Sequence, residues 1–342
     1  MTLTDFKAQL KSREVAGAYI FSGEEDYLKK FYLKEFANIC CPDDSFALFN
    51  QVVFDGNEVE IADIAEAIKS PPMMSDGKLI VWKYPMLDRM SESEKKNIEE
   101  LASSLSDYPY ATLVLFTDID GFDPGTQKRP SKLATRLGKI YNVINFEKST
   151  DAQLVSWLAR HFSAEGIEAP SDVLSALIFR SGHGMEILKH EVEKLSAYAK
   201  ANGLSRLDTG IIEFVASPTL ECDAFALSGA ITDKNREKAF LALTDMQMRR
   251  IDAAEALATL SRAFSELVIV ANLLDEGMGI ADIEAMLKWN HYKLKFCSTS
   301  AKKWGADKLF RASNRLRELD AASKSGGASG YKMIEIFICE FL

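Results

Sequence analysis

The sequence predicts an α/β domain over residues 1–147, a small helical unit over 148–216 and a larger all-helical region over 217–342. Three observations carry this. Short apolar runs alternate with helix-period segments up to about residue 147, which is the pattern of a mostly parallel sheet covered on both faces. Beyond that point no strand pattern survives a count against the helical template. Finally, 342 residues is too long for one ordinary core.

The first strand is expected at Ala18–Ser22, an apolar run closed by Gly23 and followed by a helical pattern through Leu28, Phe31, Tyr32, Leu33 and Phe36. Gln51–Phe54 is the second strand, ending at the turn dipeptide Asp55–Gly56. Ile61, Ile64, Ala65 and Ile68 have helical spacing, and Leu79–Trp82 is the third strand. Ser91–Ser106 reads as a helix through Ile98, Leu101 and Leu105, leading to strands at Thr112–Phe116 and Asn142–Phe146. Five strands are predicted. Thr150-x-x-Gln153 then has the capping-box spacing ahead of Leu154, Val155, Leu158 and Phe162. Two more helices follow, one through Val173, Leu174, Leu177 and Ile178, the other through Met185, Leu188, Val192, Leu195 and Tyr198. After Ser217–Pro218, helices are expected over 224–230, 235–246, 253–274, 280–287, 292–302, 307–319 and 331–341, with the loop 323–330 setting the last apart.

Composition bounds the chemistry. The chain is 47% hydrophobic and 27% charged, as in a globular protein. Its N-terminus meets charged residues without an apolar core segment, and the longest strongly apolar run, Leu267–Leu274, is too short to span a bilayer. A cytoplasmic address and no membrane partner are expected. The five cysteines, at 40, 41, 222, 297 and 339, have no zinc-type spacing and read as small apolar residues. A net charge of −9 argues against strong autonomous DNA binding, which draws on counterion release from a basic face.

No catalytic constellation emerges. A phosphate loop after the first strand would read G-x-x-x-x-G-K-[S/T], its amides cradling phosphate and its Lys and hydroxyl serving charge and Mg²⁺. Here the window runs Gly23 to Lys30. Gly23 and Lys29 are in register, but Leu28 replaces the second glycine and Lys30 the hydroxyl residue. Glu24, Glu25 and Asp26 are expected to face the phosphate position, where each like-charge approach near 4 Å costs about 4 kcal/mol at an effective dielectric of ~20. An ATPase of this kind also ends its third strand in Asp-Glu, whereas this chain has Val81-Trp82-Lys83-Tyr84. No nucleotide, metal or other cofactor is therefore expected. The acid-rich segment Asp118–Asp123 places its glycine too early for a calcium loop, and the histidines at 161, 183, 190 and 291 form no i, i+4 pair.

Several segments together resemble one family. Tyr19 to Leu28 is similar to the opening signature of the delta subunits of bacterial DNA polymerase III, a strand leading into Gly-x-Glu-x-x-Leu. Pro72 to Val81 resembles their Pro-Phe-Phe-Ser-x-x-Arg segment, and Glu191 to Leu195 their Glu-Leu-Glu-Lys-Leu helix. Phe225–Ile231, Ala239–Leu243 and Leu260–Phe264 follow the family's third domain. The order of parts is that of AAA+ clamp-loader subunits: a five-stranded domain with a degenerate phosphate loop, a small helical lid and a helical collar. The sister subunit delta prime carries a four-cysteine zinc module and a Ser-Arg-Cys finger, and this chain has neither.

The resemblance implies a subunit that binds and opens the ring-shaped sliding clamp, the beta subunit, for loading onto primed DNA without hydrolysing ATP. DNA polymerase activity would come only through association with the holoenzyme. The implied partners are the clamp, the gamma/tau ATPase subunits, delta prime and, within the complex, primer-template DNA. By position, the clamp-binding tip is Met73 and Met74, with Pro72 fixing the end of the helix before the third strand. The family more often has Leu or Phe there; Met is flexible and adapts to irregular apolar clefts. The competing readings are a nucleotide-binding AAA+ subunit or delta-prime-like stator, and a helical scaffold unrelated to replication.

Overall fold

Strand and helix alternate through residue 145, and among the described residues only helices and one isolated bridge, Glu168 to Arg206, follow, so the fold class is the one the sequence predicts. The computed structural model describes every residue except 43, 57, 127 and 327–329, the last three lying in the expected 323–330 loop and so outside the described residues. The chain divides into two compact units, Met1–Ser149 and Thr150–Leu342.

In the first unit the strands are β1 (Gly17–Ser22), β2 (Gln51–Asp55), β3 (Lys78–Lys83), β4 (Ala111–Phe116), the two-residue pair β5 (Gly125–Thr126) and β6 (Arg129–Pro130), and β7 (Asn142–Asn145). The helices are α1 (Leu3–Ser12), α2 (Asp26–Cys40), α3 (Ala47–Asn50), α4 (Ile61–Lys69), α5 (Glu92–Ser104) and α6 (Lys132–Leu137). Five strands form one parallel sheet in the order β2-β3-β4-β1-β7. Side chains alternate across it, as a pleat requires. Tyr19 and Phe21 of β1, Leu79 and Val81 of β3, and Val114 and Phe116 of β4 join Phe6 and Phe36 in one apolar layer. Ile20, Ile80, Trp82, Leu113 and Leu115 face the opposite layer, where Ile64 and Ile68 of α4 and Ile98 and Leu101 of α5 cover them. Central β4 is buried on every residue, hence its unbroken apolar run.

Three helices here were not legible in the pattern: α1, the four-residue α3 and α6. α1 buries only Phe6, and a capping box formed by Thr2 and Asp5 starts it. α6 has six residues and is capped by Ser131, whose Oγ accepts from the Ala134 amide at 3.0 Å.

The second unit contains α7 (Asp151–Ala164), α8 (Ser171–Ser181), α9 (Met185–Ala201), α10 (Thr209–Val215), α11 (Leu220–Thr232), α12 (Arg236–Met248), α13 (Ala253–Asp275), α14 (Ile280–Leu287), α15 (His291–Lys324) and α16 (Gly330–Phe341). α7, α8 and α9 pack on one another, and α13 lies against α11, α15 and α16. The Thr150–Gln153 capping box forms as its spacing predicts. The helices expected at 292–302 and 307–319 run on from each other as α15, interrupted by Gly305 at φ +72°, a backbone state glycine adopts without strain. α13 is long and apolar enough to cross a membrane by length and composition. Yet Ala256, Leu257, Leu260, Ala263, Phe264, Leu267, Val270 and Ala271, spaced by turns of the helix, are all buried within the unit's own core. That is the stripe of a core helix.

The histidines and cysteines have structural surroundings. His183 Nε2 lies 2.9 Å from Asp151 Oδ1, and Asn290, which caps α15, donates to Asp151 Oδ2 at 2.6 Å. The bond to Asp151 raises the His183 pKa, and that same bond holds the Asp151 carboxyl below the usual range. Four cysteines are buried and Cys339 is exposed, all with free thiols.

Candidate functional site

The residues singled out by the sequence lie at two places in the first unit: the end of β1, where a phosphate loop would sit, and the connection between α4 and β3.

At the first, the chain leaves Ser22 and turns at Gly23 with φ +101°. A Cβ there would lie 2.4 Å from the Phe146 carbonyl oxygen and 2.5 Å from Asn145 Oδ1, so the turn admits only glycine. Two of the amides that would cradle an anion are engaged inside the chain. Glu25 N donates to Phe146 O at 3.0 Å and Asp26 N to Glu24 O at 3.2 Å. α2 already begins at Asp26, so Lys29 stands in its first turn rather than at the end of an open loop. Leu28, in place of the second glycine, packs against the Phe6–Phe36 layer, and Lys30 lies on the exposed side of the helix.

Lys29, in register with the phosphate-loop lysine, is fully buried. Its Nζ donates to Thr117 O at 2.8 Å, pairs with Asp26 Oδ1 at 2.8 Å, and sits 5.1 Å from the Phe116 ring centroid. A buried ammonium held by a carboxylate, a carbonyl and a ring face is satisfied without phosphate. The three acids expected to face the phosphate position each have local surroundings of their own. Glu24 pairs with Lys148 at 2.6 Å and raises that lysine's pKa. Asp26 holds Lys29. Glu25 is buried, and burial pushes its carboxyl pKa up. At the end of β3, where the Asp-Glu pair of an ATPase would stand, Trp82 Nε1 donates to Gly56 O at 2.9 Å and Lys83 O accepts from Gly56 N at 3.1 Å.

The second place holds Pro72, Met73 and Met74. The resemblance put this pair at a helix end, but α4 stops at Lys69, Ser70 is extended, and Pro71–Pro72 carry the chain away from the helix. Pro72 is half-buried. Met73 is 51% and Met74 78% exposed. Met74 has φ +54°, a conformation that costs a non-glycine residue about 1–2 kcal/mol. The surrounding bonds hold it. Met73 N donates to Asn50 Oδ1 at 2.7 Å, and Met73 O accepts from Asn50 Nδ2 at 2.8 Å. Ser75 Oγ donates to Cys40 O at 3.2 Å, while Lys78 Nζ donates to Ser70 O at 3.2 Å and Tyr110 OH to Lys69 O at 2.9 Å. Gly77 passes so near Cys40 that a Cβ would meet its carbonyl oxygen at 2.8 Å. The result is an apolar tip on a rigidly anchored backbone.

Sequence reasoning passed over three residues here. Asn50 is fully buried, and its role depends on a partner 23 positions away, which no local pattern reveals. Leu48 and Phe49, in the four-residue α3, are 85% and 53% exposed. Their apolar type in so short an element was the only available signal. Elsewhere, Asp118 Oδ1 accepts from Gly121 N at 2.8 Å, closing an ordinary turn at the acid-rich segment. Among the described residues no group of His, Cys, Asp and Glu is placed to hold a metal.

Comparison with known proteins agrees over most of the chain. The family model for "DNA polymerase III, delta subunit" matches residues 19–146, and that for "DNA polymerase III delta subunit, C-terminal domain" matches residues 221–341. A curated relative, "Probable DNA polymerase III subunit delta" of Aquifex aeolicus, is 23% identical over 285 residues, 82% of this chain and 78% of its own. Among solved structures, the Bacillus subtilis DNA clamp loader delta protein is similar in fold, with a TM-score of 0.59 and 19% identity over 99% of this chain and 98% of that one.

Proposed function

The chain belongs to the DNA polymerase III delta subunit family, and from that premise we propose that it binds the sliding clamp through Met73 and Met74, opens the ring for loading onto primed DNA, and hydrolyses no ATP itself. The observation that carries this reading is the tip: two large apolar side chains held out to solvent by a backbone bonded on both sides. An apolar pair kept exposed at the expense of a left-handed residue is the feature of a contact surface. The filled space beside Gly23 and the internally paired Lys29 support the noncatalytic role. In this reading residues 1–147 contact the clamp, 148–216 form the lid, and 217–342 form the collar that joins the gamma/tau subunits and delta prime. Primer-template DNA enters within that cytoplasmic complex.

The test mixes the purified chain with the sliding clamp of the same organism and follows complex formation by calorimetry. A stable complex is expected, and its absence would remove the proposal. A fluorescent ATP analogue titrated into the same chain is expected to give no saturable binding; a saturable signal competed by ATP would revive the nucleotide-binding alternative.

A further inference from the structure

The exposed apolar surface beside the tip is wider than the methionine pair. Leu48 and Phe49 are the two residues before Asn50, and Asn50 is bonded through both ends of its amide to the backbone of Met73. We propose that Leu48 and Phe49 form a second ridge of the same docking surface, held in register with Met73 and Met74 by the buried Asn50, and that both ridges seat on the apolar surface of the sliding clamp.

The coupling follows from the chemistry of the clasp. A carboxamide presents one donor and one acceptor side by side, so it pairs with the N–H and C=O of a single residue as a neighbouring strand would. Asn50 has no solvent exposure, so water does not compete for those bonds. α3 runs directly into β2, which pairs with β3, so the ridge stands on the sheet rather than on a free loop. Two apolar residues left open at 85% and 53% within one four-residue element, and two more at 78% and 51% on the segment that Asn50 clasps, gather four exposed apolar side chains about one anchored point, as interfaces do. The clamp is the occupant because Asn50 ties the ridge directly to the tip assigned to the clamp. The inference rests on that assignment.

The test uses the full chain and the sliding clamp of the same organism, with calorimetric affinity and thermal melting measured for each variant. Leu48→Ser with Phe49→Ser is expected to weaken binding about tenfold, a loss equal to about 1.4 kcal/mol, with melting unchanged; should melting fall, Leu48→Ser alone serves, its side chain being almost wholly in solvent. The loss should persist in a Met73→Ala, Met74→Ala background, since the ridges make separate contacts. Asn50→Asp keeps the acceptor for Met73 N and deletes the donor to Met73 O. Its loss of affinity should vanish in the methionine-free background, because Asn50 acts through the tip; an undiminished loss there overturns the positioning role. Unchanged affinity on removing Leu48 and Phe49, alongside a loss on removing the methionines, overturns the second ridge and leaves the tip standing. Unchanged affinity in the methionine variant strikes the underlying assignment. Self-association of the free chain that disappears with Leu48→Ser would give the patch to a second copy and overturn the proposal.

Discussion

The double variant Met73→Ala, Met74→Ala is expected to bind the sliding clamp at least tenfold more weakly than the parent chain while melting at the same temperature. Burying a methionine contributes roughly 1.5–3 kcal/mol, so the pair supplies about 3–6 kcal/mol gross. Part is offset by freezing two flexible side chains, at about 0.5–1.5 kcal/mol each. At mid-range, about 4.5 less about 2 leaves ~2.5 kcal/mol, above the ~1.4 kcal/mol that corresponds to a factor of ten. Stability should hold because both side chains are mostly in solvent in the free chain and the anchoring bonds are to backbone and neighbouring groups. Calorimetric titration with clamp, beside a melting curve, checks both halves. Equal affinity for variant and parent would take the tip assignment away.

Gly23→Ala is expected to destabilise the first unit by about 3 kcal/mol, combining a strained φ with overpacking. For a unit of its size this lowers the melting temperature by about 10 °C. The cause is steric: the new methyl would meet the Phe146 carbonyl at 2.4 Å, and that carbonyl is itself fixed by the Glu25 amide. Gly56→Ala is the control. Gly56 also has positive φ, +90°, but a Cβ there meets nothing within 4 Å, so only the backbone term of about 1 kcal/mol remains. Equal losses at the two positions would show that the close approach at Gly23 contributes nothing.

The glycine survives at position 23 for packing, and the lysine at position 29 for an internal ion pair. Both stand where phosphate-binding residues would, yet each is fully accounted for by its neighbours within the chain.

The pattern alone settled the division into a sheet-bearing part and a helical part, because the unbroken apolar runs at Tyr19–Phe21 and Leu79–Trp82 are imprints of strands buried on both faces, and the 3–4 spacing along α13 is that of a helix with one side on a core. The departures from a phosphate-loop pattern at Leu28 and Lys30, and from an Asp-Glu strand end at Trp82–Lys83, could likewise be read from residue types. Short elements escaped. α6 and α10 have only six and seven residues, too few for a period to show, and α1 buries a single side chain. What only the tertiary structure decided was where long polar groups end. Lys29 turns inward to Thr117, Glu24 reaches Lys148, and Asn50 clasps Met73 across 23 residues. These partners are set by the strand order β2-β3-β4-β1-β7, which brings distant segments together. Apolar burial follows local spacing and is written along the chain, whereas a hydrogen bond depends on the position of one atom that only the assembled sheet supplies.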